Sequence, residues 1–161
     1  MAQASLKAPG QRFDSPEQEA FLSLWRTYDR LRLLEDELFG RYDLTAQQYN
    51  ALRLLRGAHP DKVPTHYIAA RLVSRAPDIT RMLDKLDERG LIERERLPSN
   101  RRVVHVGISP DGCDLLAELA GEVRACHQRQ LGHLSAAELR TLTQLLRKVR
   151  EPHESEASGW R

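Results

Sequence analysis

A chain of 161 residues with 40% hydrophobic and 30% charged residues can bury a core of one domain and is too apolar to stay disordered. Its formal net charge of +2 is too small to imply a polyanionic partner by itself, so any such partner must be argued from where the charges sit. No apolar run nears the roughly 18 residues of a bilayer span, and the N-terminal stretch lacks the apolar core of a secretory signal; a cytoplasmic protein with no membrane partner is expected.

Residues 1–13 read as a flexible arm. Ser15-Pro16-Glu17 is a helix start, with a hydroxyl cap, proline in the first turn and an acid beside it. Phe21, Leu24, Tyr28, Leu31, Leu34 and Leu38 then recur every three or four residues, widened by Trp25 and Leu33, as one apolar stripe on a helix ending near Gly40. Thr45 and Gln48 form a capping box for a second helix, carrying Tyr49, Leu52 and Leu55 and stopping near Gly57. His59–Pro64 reads as a loop. Thr65 is the expected cap of a short third helix with Ile68, Ala69 and Leu72 inward. After a break at Ser74-Arg75, Pro77 is expected to begin a fourth helix with Ile79, Met82, Leu83 and Leu86 inside and Gly90 as its left-handed terminus.

Residues 91–97 and 102–108 have strand character around Pro98-Ser99-Asn100, a turn, so a hairpin is expected. Ser109-Pro110-Asp111 repeats the helix-start signature, and Leu115, Leu116, Leu119, Val123 and Cys126 line one side of the fifth helix. Ser135 and Glu138 cap a last helix with Leu139, Leu142, Leu145, Leu146 and Val149, followed by a loose tail. The fold class is therefore mainly α with a small β-hairpin. The expected division is an arm (1–13), an N-terminal helix (14–42), a central unit (43–109), C-terminal helices (110–151) and a tail (152–161).

Two short helices and a hairpin in that order describe a winged helix-turn-helix, whose second helix fits the major groove of DNA. Its outward residues include Arg75, Asp78, Thr80, Arg81, Asp84 and Lys85. Arginine pairs with guanine, threonine touches bases or phosphate, and aspartate accepts from cytosine. Residues 94–102 hold Arg94, Arg96, Arg101 and Arg102 against Glu95 alone, and arginine on a narrow hairpin suits the minor groove. By contrast, no Gly-rich phosphate loop, nucleophile elbow or carboxylate dyad is present, and no histidine pair has metal-ligand spacing. The chain is expected to be no enzyme and to need no cofactor or metal. Cys113 and Cys126 read as reduced thiols.

The stretch from Ile68 to Gly112, IAARLVSRAPDITRMLDKLDERGLIERERLPSNRRVVHVGISPDG, resembles the signature region of the MarR family of bacterial transcriptional regulators. The resemblance implies a cytoplasmic homodimer whose terminal helices interlock, which binds a near-palindromic double-stranded DNA operator, in most cases as a repressor, and which a small aromatic effector can release. It matches Pro77, Thr80, Arg81 and Lys85 to recognition-helix positions and Arg101 and Arg102 to the paired arginines of the wing. Arg75 and Asp78 join the recognition-helix set as outward residues, and Thr65 is expected to contact the DNA backbone. This chain departs from the family pattern at three places. Val73 replaces a turn glycine, Asp78 stands where threonine is common, and Asn100 replaces the aspartate that braces a wing arginine. The competing expectation is a winged helix used only to bind another protein.

Overall fold

The computed structural model describes residues 13–76 and 78–155. The elements in chain order are α1 (Pro16–Gly40), α2 (Ala46–Ala58), β1 (Val63–Pro64), α3 (Thr65–Arg71), α4 (Ile79–Glu88), β2 (Ile92–Arg96), β3 (Val104–Ile108), α5 (Pro110–Leu131), α6 (Ala136–Arg150) and a 3-10 turn at Glu151–His153. The fold class is as expected, helical with a small antiparallel sheet. Expectations for the arm before Phe13 and for 156–161 fall outside the described residues, as does the placement of Pro77 itself.

The helix starts follow local chemistry. Ser15 accepts the Gln18 N–H, Ser109 accepts the Gly112 N–H, and both Thr45/Gln48 and Ser135/Glu138 close complete capping boxes. Each bond satisfies an N–H that has no partner inside the helix. Gly90 takes the left-handed conformation at φ 68°, as expected for the residue that reverses the chain after α4.

Five local expectations are corrected. The His59–Pro64 segment is not all loop: Val63 and Pro64 pair with Val106 and His105 at the edge of the sheet, whose order is β1-β3-β2. An edge position tolerates proline because that strand needs fewer ladder N–H groups. Thr65 does not cap α3. Pro64 is the cap residue, with no side-chain hydrogen bond, and Thr65 is the first helical residue. Helix α4 begins at Ile79 rather than Pro77, because the Asp78 carboxylate caps it by accepting the Arg81 N–H. Ala69 is exposed, leaving Ile68 and Leu72 as the inward pair. Finally, the tail is not loose from its start, since Glu151–His153 adds a 3-10 turn to α6.

The core joins every layer of the central unit. Its most deeply buried side chains are Leu52 and Leu55 of α2, Ile68 of α3, Leu86 of α4, Val106 of β3 and Leu119 of α5. Leu38 and Phe39 close it from α1, with Phe39 stacked on Tyr49 at a centroid distance of 4.6 Å. Full burial of such a side chain is worth about 1.5–3 kcal/mol, so α4 and the hairpin rest on a stiff base. Cys126 is buried and unbonded, and desolvation pushes its thiol pKa up, which suits a structural role.

The two ends of the chain differ from this centre. Phe21, Trp25 and Tyr28 on α1 are each about 60% exposed, and no residue of α6 is buried. The apolar stripes expected on these helices exist, but this single chain leaves them largely uncovered.

Candidate nucleic-acid interface

Helix α4 turns Met82, Leu83 and Leu86 into the core and leaves Thr80, Arg81 and Lys85 exposed. This is the ordinary division of an amphipathic helix, and it follows from the 3.6-residue period of the sequence. Asp78 is also exposed, but its carboxylate is engaged with the Arg81 N–H at 2.9 Å. Its position therefore serves helix initiation first, and it presents less acceptor capacity to an incoming base than an unbonded aspartate.

The described residues of the turn into α4, 72–76 and 78, belong to no helix or strand. Val73 keeps a negative φ, since Asp43 is the one non-glycine residue with positive φ among those described. The turn thus runs without the left-handed step that a glycine would permit. Instead, α2 holds it: Asn50 Oδ1 accepts the Val73 N–H at 2.9 Å, and Gln47 Nε2 donates to the Arg75 carbonyl at 3.2 Å. The Arg75 side chain is exposed. Thr65 sits half-buried at the first turn of α3.

The hairpin is fixed to α4 by one arginine. Arg94 places Nη2 at 2.7 Å from Asp84 Oδ1 and Nε at 3.6 Å from Asp87 Oδ2. From just before β1, Lys62 reaches Glu93 and Glu95 of β2 at 3.5 and 3.3 Å, and these carboxylates, Glu95 foremost, raise the Lys62 pKa. Exposed pairs of this kind contribute about 0–1 kcal/mol each, so their main effect is to set where the hairpin points. At its far end Arg96 donates to the Arg101 carbonyl at 2.7 Å. Asn100 accepts the backbone N–H of Arg102 at 3.2 Å, bracing the turn through the main chain rather than through a guanidinium.

These contacts sort the charges. Asp84 and Asp87 share the single charge of Arg94, which offsets one of the two carboxylates, and Asp78 is used as a cap. Arg75, Arg81, Lys85, Arg101 and Arg102 have no ion-pair partner among the described residues and are all exposed. A helix and a hairpin tip, tied together and carrying uncompensated cations, form a surface suited to the phosphates and grooves of a duplex. Asn50 and Gln47 were not visible as site residues in the sequence, because nothing local links a polar position on α2 to a turn more than twenty residues later. Arg94 could be placed on the hairpin but not paired.

The MarR family model matches residues 44–104. The crystal structure of a MarR transcription factor from Planctomyces limnophilus is 56% identical, aligns over 84% of this chain and 98% of its own, and superposes with a TM-score of 0.68. The transcriptional repressor MprA of Escherichia coli strain K12 is 26% identical over 138 residues, covering 84% of this chain and 78% of that protein. A mutant MarR from E. coli, solved in complex with operator DNA, is 27% identical with a TM-score of 0.73, covering 81% of this chain and 93% of the other.

Proposed function

The chain belongs to the MarR family of transcriptional regulators, and from that premise we propose that it binds a pseudo-palindromic operator as a homodimer and represses transcription there. The family is one of regulators rather than enzymes, and the chain's work is binding, not turnover. The observation that carries the reading is the pairing pattern of α4 and the hairpin: Asp78 is a cap and Asp84 and Asp87 share Arg94, while Arg75, Arg81, Lys85, Arg101 and Arg102 are left to the ligand.

In this reading Thr80, Arg81 and Lys85 enter the major groove with Arg75 at its edge. Arg101 and Arg102 follow the adjacent minor groove, and Thr65 faces a backbone phosphate. Asp78 shapes the entry to the helix through its cap. Residues 43–109 are the reading unit, and 14–42 with 110–151 join two copies. A two-fold axis through those helices sets the half-sites about one helical turn apart, near 34 Å. No helix among the described residues is long and apolar enough to cross a membrane, and a regulator of this class meets its operator in the cytoplasm.

A small aromatic acid is the effector class that family membership implies. It acts by preferring the dimer geometry that does not fit DNA, and it weakens binding only by its differential affinity for the two geometries. The test is selection of bound duplexes from a random pool, repeated with phenolic acids present. Recovery of an inverted repeat with half-sites one turn apart is expected. A dimer that ignores duplex DNA at low salt overturns the proposal and leaves the same fold as a protein-binding module.

A further inference from the structure

Nothing in the pattern of cations explains what holds the recognition helix at its angle to the rest of the molecule. Helix α2 packs against α1 and α5 as well as α3, α4 and β3, so it touches both the terminal helices and the reading unit. Gln47 and Asn50 are three residues apart and therefore share one edge of that helix. Both reach into the same turn, Asn50 to the Val73 N–H and Gln47 to the Arg75 carbonyl. These partners are main-chain groups, so the bonds set the path of the backbone into α4 rather than the pose of one side chain. Backbone partners also fix the roles: Asn50 must accept through Oδ1 and Gln47 must donate through Nε2.

We propose that Asn50 and Gln47 are positioning residues for operator reading, transmitting the placement of α2 to the turn that aims α4. The inference rests on the DNA-binding function proposed above. Among its described residues the turn has no helical or strand ladder to define it, and Val73 stands where a glycine would let the chain relax. Without the two side-chain bonds the turn samples more conformations, and α4 meets base edges less often in register. Phosphate contacts tolerate such variation, because they position the protein without reading sequence, whereas base contacts do not.

The experiment compares full-length wild-type protein with Asn50→Leu, Asn50→Asp, Gln47→Met and Gln47→Glu. Each is titrated with the duplex that wild type selects from a random pool and with a scrambled duplex of equal length and composition, over a range of salt. Asn50→Leu and Gln47→Met are expected to lower the ratio of selected to scrambled affinity about tenfold, a change of about 1.4 kcal/mol, with the salt slope unchanged. Asn50→Asp keeps the acceptor and is expected to restore the ratio to within about threefold of wild type. Gln47→Glu loses the donor and is expected to behave as Gln47→Met. Circular dichroism and dimer mass at the assay temperature establish that each variant is folded.

An unchanged ratio in both Leu and Met variants overturns the proposal, as does Asn50→Asp behaving like Asn50→Leu. A salt slope reduced by about one would make the residue a direct phosphate contact instead, which also overturns it. Wild-type protein with no preferred duplex defeats the underlying function and this inference together, an outcome distinct from the other three.

Discussion

The four arginines of residues 94–102 look equivalent in the sequence, and the structure separates them. Arg94 is committed to Asp84 and Asp87, and Arg96 to the Arg101 carbonyl, so removing either changes the shape of the hairpin. Arg101 and Arg102 stand exposed with no ion pair among the described residues. Replacing Arg101 or Arg102 by Ala is therefore expected to weaken operator binding by about 1–3 kcal/mol each and to lower the slope of log affinity against log salt by about one, with stability unchanged. Fluorescence titration at several salt concentrations checks both, and an unaltered affinity and slope would remove the wing from the interface. The cationic character of the tip was legible because it is a matter of composition. Which guanidinium is spent internally was not, because that depends on a helix lying beside the strand.

At the scale of elements, the joint between the hairpin and α5 is tightly built. Ser109 Oγ donates to the Gly90 carbonyl at 2.6 Å and accepts the Gly112 N–H at 3.0 Å, while the Ser109 N–H reaches the Leu91 carbonyl at 3.1 Å. A Cβ on Gly112 would lie 2.2 Å from the Leu91 carbonyl oxygen and 2.7 Å from Ile108 Cγ1. Because the nearer obstacle is backbone, it cannot rotate away, and Gly112→Ala is expected to cost about 1–3 kcal/mol in urea denaturation. A neutral result would mean that α5 docks more loosely than these distances state. The same scale shows why some elements could be read from sequence. Capping boxes are bonds between residues three apart, so Thr45/Gln48 and Ser135/Glu138 announce themselves. The start of α4 was misplaced for a local reason: a helix beginning at Pro77 needs Ala76 as its cap, which offers no acceptor, whereas Asp78 does. Strand β1 exists only because β3 lies alongside it, and no pattern of two residues can reveal that.

The whole molecule poses the question of what covers its ends. Phe21, Trp25 and Tyr28 on α1 and Leu145 and Val149 on α6 are all more than half exposed, and large apolar side chains repeated along a helix face in this way mark an interaction surface. At roughly 25 cal/mol per Å², burying these stripes against a second copy is the favourable outcome, and a two-fold arrangement lets the same stripes serve both partners. The double variant Trp25→Glu with Leu145→Glu is accordingly expected to sediment as a monomer while wild type sediments at twice the chain mass. Wild-type melting temperature is expected to rise with protein concentration and that of the variant to stay level, since only the dimer gains from mass action. Operator affinity should fall by about 10²–10⁴, because each half-site then binds without the effective concentration supplied by its partner. The reading unit keeps its core, as neither residue belongs to it, so residual binding to a single half-site should retain its sequence preference. A wild-type chain that stays monomeric at micromolar concentration would break the link between these helices and a palindromic operator, and the spacing of half-sites would then need another cause.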